Sequence, residues 1–131
     1  MKLFSPEKAN ALISKVGPLV EELWQKRREL AIKLLESETV ARGVEPTPHA
    51  RIAAPRSPFQ PSRFSDQKAE IVRIINRIEA HGCLLKDLDL GLIDFPSMRE
   101  GRAVYLCWKA GEEEIAYWHP MDEGFGSRRP L

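Results

Sequence analysis

Long apolar runs are missing from this chain: nowhere do about 18 uncharged apolar residues follow one another, the length a helix needs to cross a bilayer. An excess of one charge is missing too, since 20 basic residues face 19 acidic ones. No global field then draws the protein to nucleic acid or to an anionic membrane, and neither is an expected partner. Cysteine is scarce. Cys83 and Cys107 are the only two and lack CxxC spacing, which fits two small buried hydrophobes in a reducing compartment. Histidine is limited to His49, His81 and His119, and without an HxH or HExxH pattern no metal is indicated. The opening MKLFSPEKAN holds no apolar run of signal-peptide length, so a cytoplasmic location is expected.

What is present organises into helices first and strands second. With 131 residues the chain suits one domain, 1–131. Ser5 is a candidate N-cap and Pro6 fits a first helical position. Apolar residues then recur at Leu12, Val16, Leu19, Leu23, Leu30 and Leu34, a stripe of helical spacing. Gly17-Pro18 falls inside it, and proline in a helix interior removes a hydrogen bond and clashes with the preceding turn. The pattern predicts a short helix to about residue 16 and a long one from 18 to about 40. Five of the ten prolines lie in 42–64, which reads as a linker; its PFQPSR matches a PxxPxR polyproline pattern of the kind such linkers produce by chance. Helical spacing resumes over 65–81, with Ser65 as N-cap, Ile71, Val72, Ile75 and Ile78 apolar, and Gly82 as the stop.

Beyond Gly82 come short β-like runs, CLLKDL, GLIDFP, AVYLCW and EIAYWH, separated by glycine, proline and charged turns. They predict a small antiparallel sheet over 83–120, followed by a tail, 121–131. The fold class expected is α+β: an antiparallel helical hairpin packed with a small antiparallel β-sheet, because neither element can bury its apolar face alone.

Strand alternation sorts the aromatic residues. Tyr105 and Cys107 point one way and Val104, Leu106 and Trp108 the other; Ile115, Tyr117 and His119 share a face opposite Trp118. Neither face of this hairpin is polar, so both need cover, one from the helices and the other from the linker, the tail or a second subunit. One of Trp108 and Trp118 should be largely buried.

Three features carry candidate chemistry. His119 ends its strand beside Pro120 with Asp122 and Glu123 close behind, a place for a general base or metal ligand, or for a structural histidine bound to a backbone carbonyl. Asp94 lies between Ile93 and Phe95, and a carboxylate in such a run must reach solvent or a partner: Arg102, Arg128, Arg129, or His119 in a shared pocket. EGFGSRRPL offers glycines that open backbone N–H groups to an anion and two arginines, Arg128 and Arg129, suited to carboxylate or phosphate; the alternative is a tail tied to nearby acids. No cofactor is indicated.

The motifs GLIDFP, VYLCW, YWH and GFGSRRPL, with the opening FSPEKANALI, resemble those of an uncharacterised prokaryotic family, domain of unknown function 2203, over roughly 4–40 and 65–131. The resemblance implies a bacterial or archaeal source and no mechanism. That family often follows Tyr-Trp-His with a glutamate, where this chain has Pro120.

Two functional readings follow. The first is a self-associating or partner-binding module, a homodimer held by apolar surface that one small chain does not hide. The second is a protein that binds a small anionic ligand or a metal, enzymatic or not, around His119, Asp94, Asp122, Arg128 and Arg129.

Overall fold

Helix α1 begins at the predicted cap. In the computed structural model, which describes residues 2–41 and 64–131, α1 spans Pro6–Ala41. The Ser5 hydroxyl accepts the Lys8 amide at 3.2 Å and the Ser5 carbonyl accepts the Ala9 amide at 3.0 Å. Pro6 thus occupies a position whose N–H has no helical acceptor.

The expected break at Gly17-Pro18 is absent, and α1 runs through with Pro18 inside it. Tertiary packing explains the difference. Val16, Leu19 and Val20 are all buried, and Gly17 leaves room for Trp108, whose ring would stand 3.9 Å from a Cβ at that position. Burying those side chains at about 1.5–3 kcal/mol each outweighs a proline penalty of about 3 kcal/mol.

Contacts group the chain into two compact units, residues 1–22 with 74–131, and residues 23–73. Helix α2 (Ser65–Glu79) contributes to both. In the second unit Lys26 of α1 pairs with Glu70 of α2 at 3.5 Å, and in the first Arg77 pairs with Glu22 at 3.8 Å. Rising numbers on one helix meet falling numbers on the other, so the helices run antiparallel. The buried stripe of α2 differs from the expected one: Ile74 and Ile78 are buried, whereas Val72 is 53% exposed. Positions 74 and 78 lie one turn apart, and residue 72 faces away from both.

Gly82 ends this segment in the left-handed region at φ 99°, and its amide binds the Glu79 carbonyl at 3.0 Å. A Cβ there would also meet Phe4 at 3.1 Å and Lys2 at 3.0 Å, so space as well as backbone requires glycine.

The rest is one antiparallel sheet in sequence order: β1 (Leu84–Asp87), β2 (Leu92–Arg99), β3 (Arg102–Lys109), β4 (Tyr117–Pro120) and β5 (Arg129–Pro130). Glu100 (φ 52°) and Gly101 (φ 77°) connect β2 to β3, a two-residue turn whose positive φ values match the twist of the strands. The tail is not a free extension, because a short 3-10 turn, Phe125–Ser127, returns it along β4 as β5. With two helices and this sheet the fold is α+β, as expected.

The N-terminal segment locks onto one face of the sheet. The Phe4 amide donates to the Pro96 carbonyl at 2.7 Å, the Ser97 hydroxyl donates to the Phe4 carbonyl, and the Phe4 ring meets Phe95 edge-on at 5.3 Å. Asn10 of α1 accepts the Ile115 amide at 2.6 Å. Ile93, Phe95, Leu106 and Trp108 are buried on this face, and Trp108 meets the expectation for one buried tryptophan. Apart from buried Phe64, the expected linker and its PxxPxR pattern lie outside the described residues. Among the described residues no helix is long and apolar enough to cross a membrane.

Candidate functional site

The opposite face of the sheet holds the polar residues that the sequence left hardest to place. Asp94 on β2 is the register partner of Cys107 on β3; one strand further, His119 pairs with Tyr105, the residue two before Cys107. Alternation points Asp94, Cys107, Tyr105 and His119 to one side. All four are buried, Asp94 to 3% exposure and His119 to 2%. This face is therefore buried within one chain.

Asp94 and His119 meet directly. His119 Nε2 lies 3.1 Å from both carboxylate oxygens of Asp94, and Nδ1 lies 2.8 Å from the Pro120 carbonyl. A carbonyl can only accept, so Nδ1 carries a hydrogen. One further proton bridges Nε2 and the carboxyl group, held by either partner, and the pair is neutral as a whole. Cys107 is hydrogen-bonded to the same carboxyl group, and its thiol, Asp94 and His119 bring their donor atoms within 4.8 Å of one another. Burial pushes the Asp94 carboxyl above its ordinary range despite the opposing pull of His119, and burial together with the Asp94 charge pushes the Cys107 thiol up to about 12. The result is a buried cluster of one acid, one imidazole and one thiol.

Arg128 and Arg129 part company, because neighbours along the tail face opposite sides. Arg128 stays with the cluster's face: its guanidinium lies 4.1 Å from the Tyr117 ring, donates to the Cys107 carbonyl at 3.2 Å and grips both oxygens of Glu112 at 2.7 and 2.9 Å. It is a tail residue tied to an acid, one of the two expected alternatives. Arg129 lies over Trp118 at 5.1 Å and 3.7 Å from Glu123.

Around Trp118 a cavity of about 450 Å³ opens, lined by Arg99, Glu100, Arg102, Asp122 and Arg129 together with apolar Val104 and Pro120. Arg99 also stands over the Trp118 ring, at 5.1 Å. No ion pair among the described residues engages Arg99 or Arg102. The expected site thus divides: Asp94 and His119 are in contact with Arg128 nearby, whereas Asp122 and Arg129 belong to the cavity around Trp118. Arg99 was not among the candidates, Arg102 entered only as a candidate partner of Asp94, and Cys107 was read as a small buried hydrophobe. A signal for the arginines exists in the sequence, since Glu100-Gly101 between β-like runs is a hairpin turn that sets Arg99 opposite Arg102.

No curated protein and no solved structure matches the chain significantly. A family model does, over residues 2–131, nearly the whole length. The chain belongs to that family, the uncharacterized conserved proteins DUF2203.

Proposed function

We propose that the protein binds a small organic anion in the cavity around Trp118. The observation that carries this reading is the convergence of three guanidinium groups, Arg99 at the end of β2, Arg102 at the start of β3 and Arg129 on β5, on one recess of about 450 Å³. Guanidinium pairs carboxylate and phosphate with two parallel hydrogen bonds, and recesses of roughly 300–1,000 Å³ suit small ligands. Asp122 and Glu100 add acceptors beside the arginines, which favours an anion that also carries hydroxyl or amino groups. Glu100 lines the recess from the two-residue turn that joins β2 to β3. His119, Asp94 and Arg128 act in this reading as the rigid floor on the far side of the sheet. The whole chain working as one domain in the cytoplasm is part of the same proposal.

A thermal-shift and calorimetric screen of small carboxylates and phosphate esters tests it on the parent, Arg102→Ala and Arg129→Ala. At about a hundred times its dissociation constant a ligand stabilises the parent by about 2.7 kcal/mol. Both variants should lose that shift. A flat parent screen at millimolar concentrations, or a shift retained by both variants, refutes the reading.

A second reading, self-association as a homodimer, draws support from Ile32 on α1 and Val72 on α2, 50% and 53% exposed. Sedimentation equilibrium showing only monomer at high micromolar concentration removes it.

A further inference from the structure

The buried cluster has a composition that structural support alone does not call for. A carboxylate, an imidazole and a thiol stand on three adjacent strands, each almost wholly withdrawn from solvent, with one donor atom apiece gathered within 4.8 Å. Oxygen, nitrogen and sulfur donors are the set that a borderline-soft divalent ion takes, at about 2.0–2.3 Å from the metal and in tetrahedral array. The Nε2 to carboxylate spacing of 3.1 Å already approximates one edge of such a tetrahedron. The Cys107 sulfur, within 4.8 Å of both, would supply the third corner by moving inward.

The outer contacts agree. Histidines that bind a metal usually direct the second ring N–H to a carbonyl or carboxylate, which fixes the tautomer and aims the free nitrogen. His119 does this, with Nδ1–H on the Pro120 carbonyl at 2.8 Å and Nε2 turned into the cluster. Arg128 anchors the Cys107 backbone through its carbonyl at 3.2 Å, which holds that strand position in place.

We infer that Asp94, Cys107 and His119 form a binding site for one divalent transition-metal ion of the zinc class. The exchange balances. Without metal the cluster holds two mobile protons, one on the Cys107 sulfur and one between His119 Nε2 and Asp94, and is neutral. A dication displaces both to solvent and leaves a carboxylate, a thiolate and a neutral imidazole around it. The site is again neutral, so binding adds no net charge to a buried region, as a monovalent or trivalent ion would. Among the described residues no fourth His, Cys, Asp or Glu joins the three, and the fourth position falls to water or a small anion.

Cobalt(II) and zinc(II) are the probes, added to the chelator-treated chain of residues 1–131. One equivalent of cobalt should give a ligand-field band of tetrahedral intensity and a thiolate-to-cobalt charge-transfer band, and zinc should abolish both. Cys107→Ser should lose the charge-transfer band, whereas Cys83→Ala, which removes the other buried thiol, should keep it. His119→Gln should weaken affinity by more than the roughly 10–100-fold that loss of an outer-shell partner costs. Circular dichroism identifies any variant that fails to fold, and the parent and Cys107→Ser spectra then decide alone. A parent that shows no thiolate band, or a band that survives in Cys107→Ser, overturns the assignment. Neither result touches the cavity around Trp118, whose test uses anions.

Discussion

Replacing His119 and Asp94 by leucine, singly and together, with chelator present, isolates the energetics of the buried pair. Their side chains are 3% and 4% exposed. Buried to that degree, an orphaned partner is cut off from bulk solvent. Removing one member of a buried, hydrogen-bonded pair generally costs about 3–5 kcal/mol, because the other is left uncompensated. His119→Leu should reach the upper part of that range, since it also deprives the Pro120 carbonyl of its donor, worth about 1 kcal/mol. Asp94→Leu should cost nearer 3 kcal/mol, about the lower limit, since the thiol that loses its acceptor is a weak donor. The double replacement removes both polar groups at once, and an apolar pair of similar volume is often neutral relative to the pair it replaces. The coupling between the sites should therefore be about 3 kcal/mol or more, with the double variant more stable than His119→Leu. Urea unfolding at pH 7 measures it, and thermal midpoints should separate by roughly 10 °C. Single losses below about 1 kcal/mol, or losses that simply add, would refute the view that these groups depend on each other.

Arg128→Ala should cost about 1.5–3 kcal/mol by urea melt, because its Nη2 donates to the Glu112 carboxylate and its side chain is only 12% exposed. The same variant should weaken any anion bound around Trp118, since Arg129 follows it in the chain. Gly82→Ala should destabilise more than Gly101→Ala: both carry positive φ, but only at Gly82 would the new methyl meet neighbours. Comparison of their unfolding midpoints settles the order. Burial pushes the Cys83 thiol up to about 11 from 9.0, so its folded pKa exceeds its unfolded one. Its contribution to stability is whole below pH 9.0 and falls away as pH rises through about 11. Neither thiol should react with iodoacetamide at pH 8 until the chain unfolds, as mass spectrometry of labelled samples will show.

Local signals were legible where local physics decides. Ser5 and Pro6 mark a helix start by capping chemistry alone, and the structure repeats it bond for bond. Pro18 misleads because its penalty is local while the burial of Val16, Leu19 and Val20 that overrides it comes from residues far along the chain. The Asp94–His119 contact was one of several pairings open to the sequence. Alternation assigns each residue a face within its strand, but the choice among Arg102, Arg128, Arg129 and His119 depends on strand order and register, which the residues themselves do not state. Strand β5 left no trace, for two residues cannot display a period of two. Without it the opposite facing of Arg128 and Arg129 could not be read.

That short strand also protects the molecule from its own copies. A sheet edge is a row of unpaired amides and carbonyls on which another chain can build. At one margin β1 is four residues long, interrupted by a bulge between Leu85 and Asp87, with Lys86 there. At the other, β5 covers Tyr117 and Trp118 of β4, and Leu131 closes the edge by donating to the Ala116 carbonyl at 2.9 Å. What it presents outward in their place is an arginine and a proline, a charge and a residue with no amide to offer. A chain trimmed of residues 128–131 would carry the same helices and core, but its aromatic strand would lie open, and such a chain should aggregate by strand addition rather than stay dispersed.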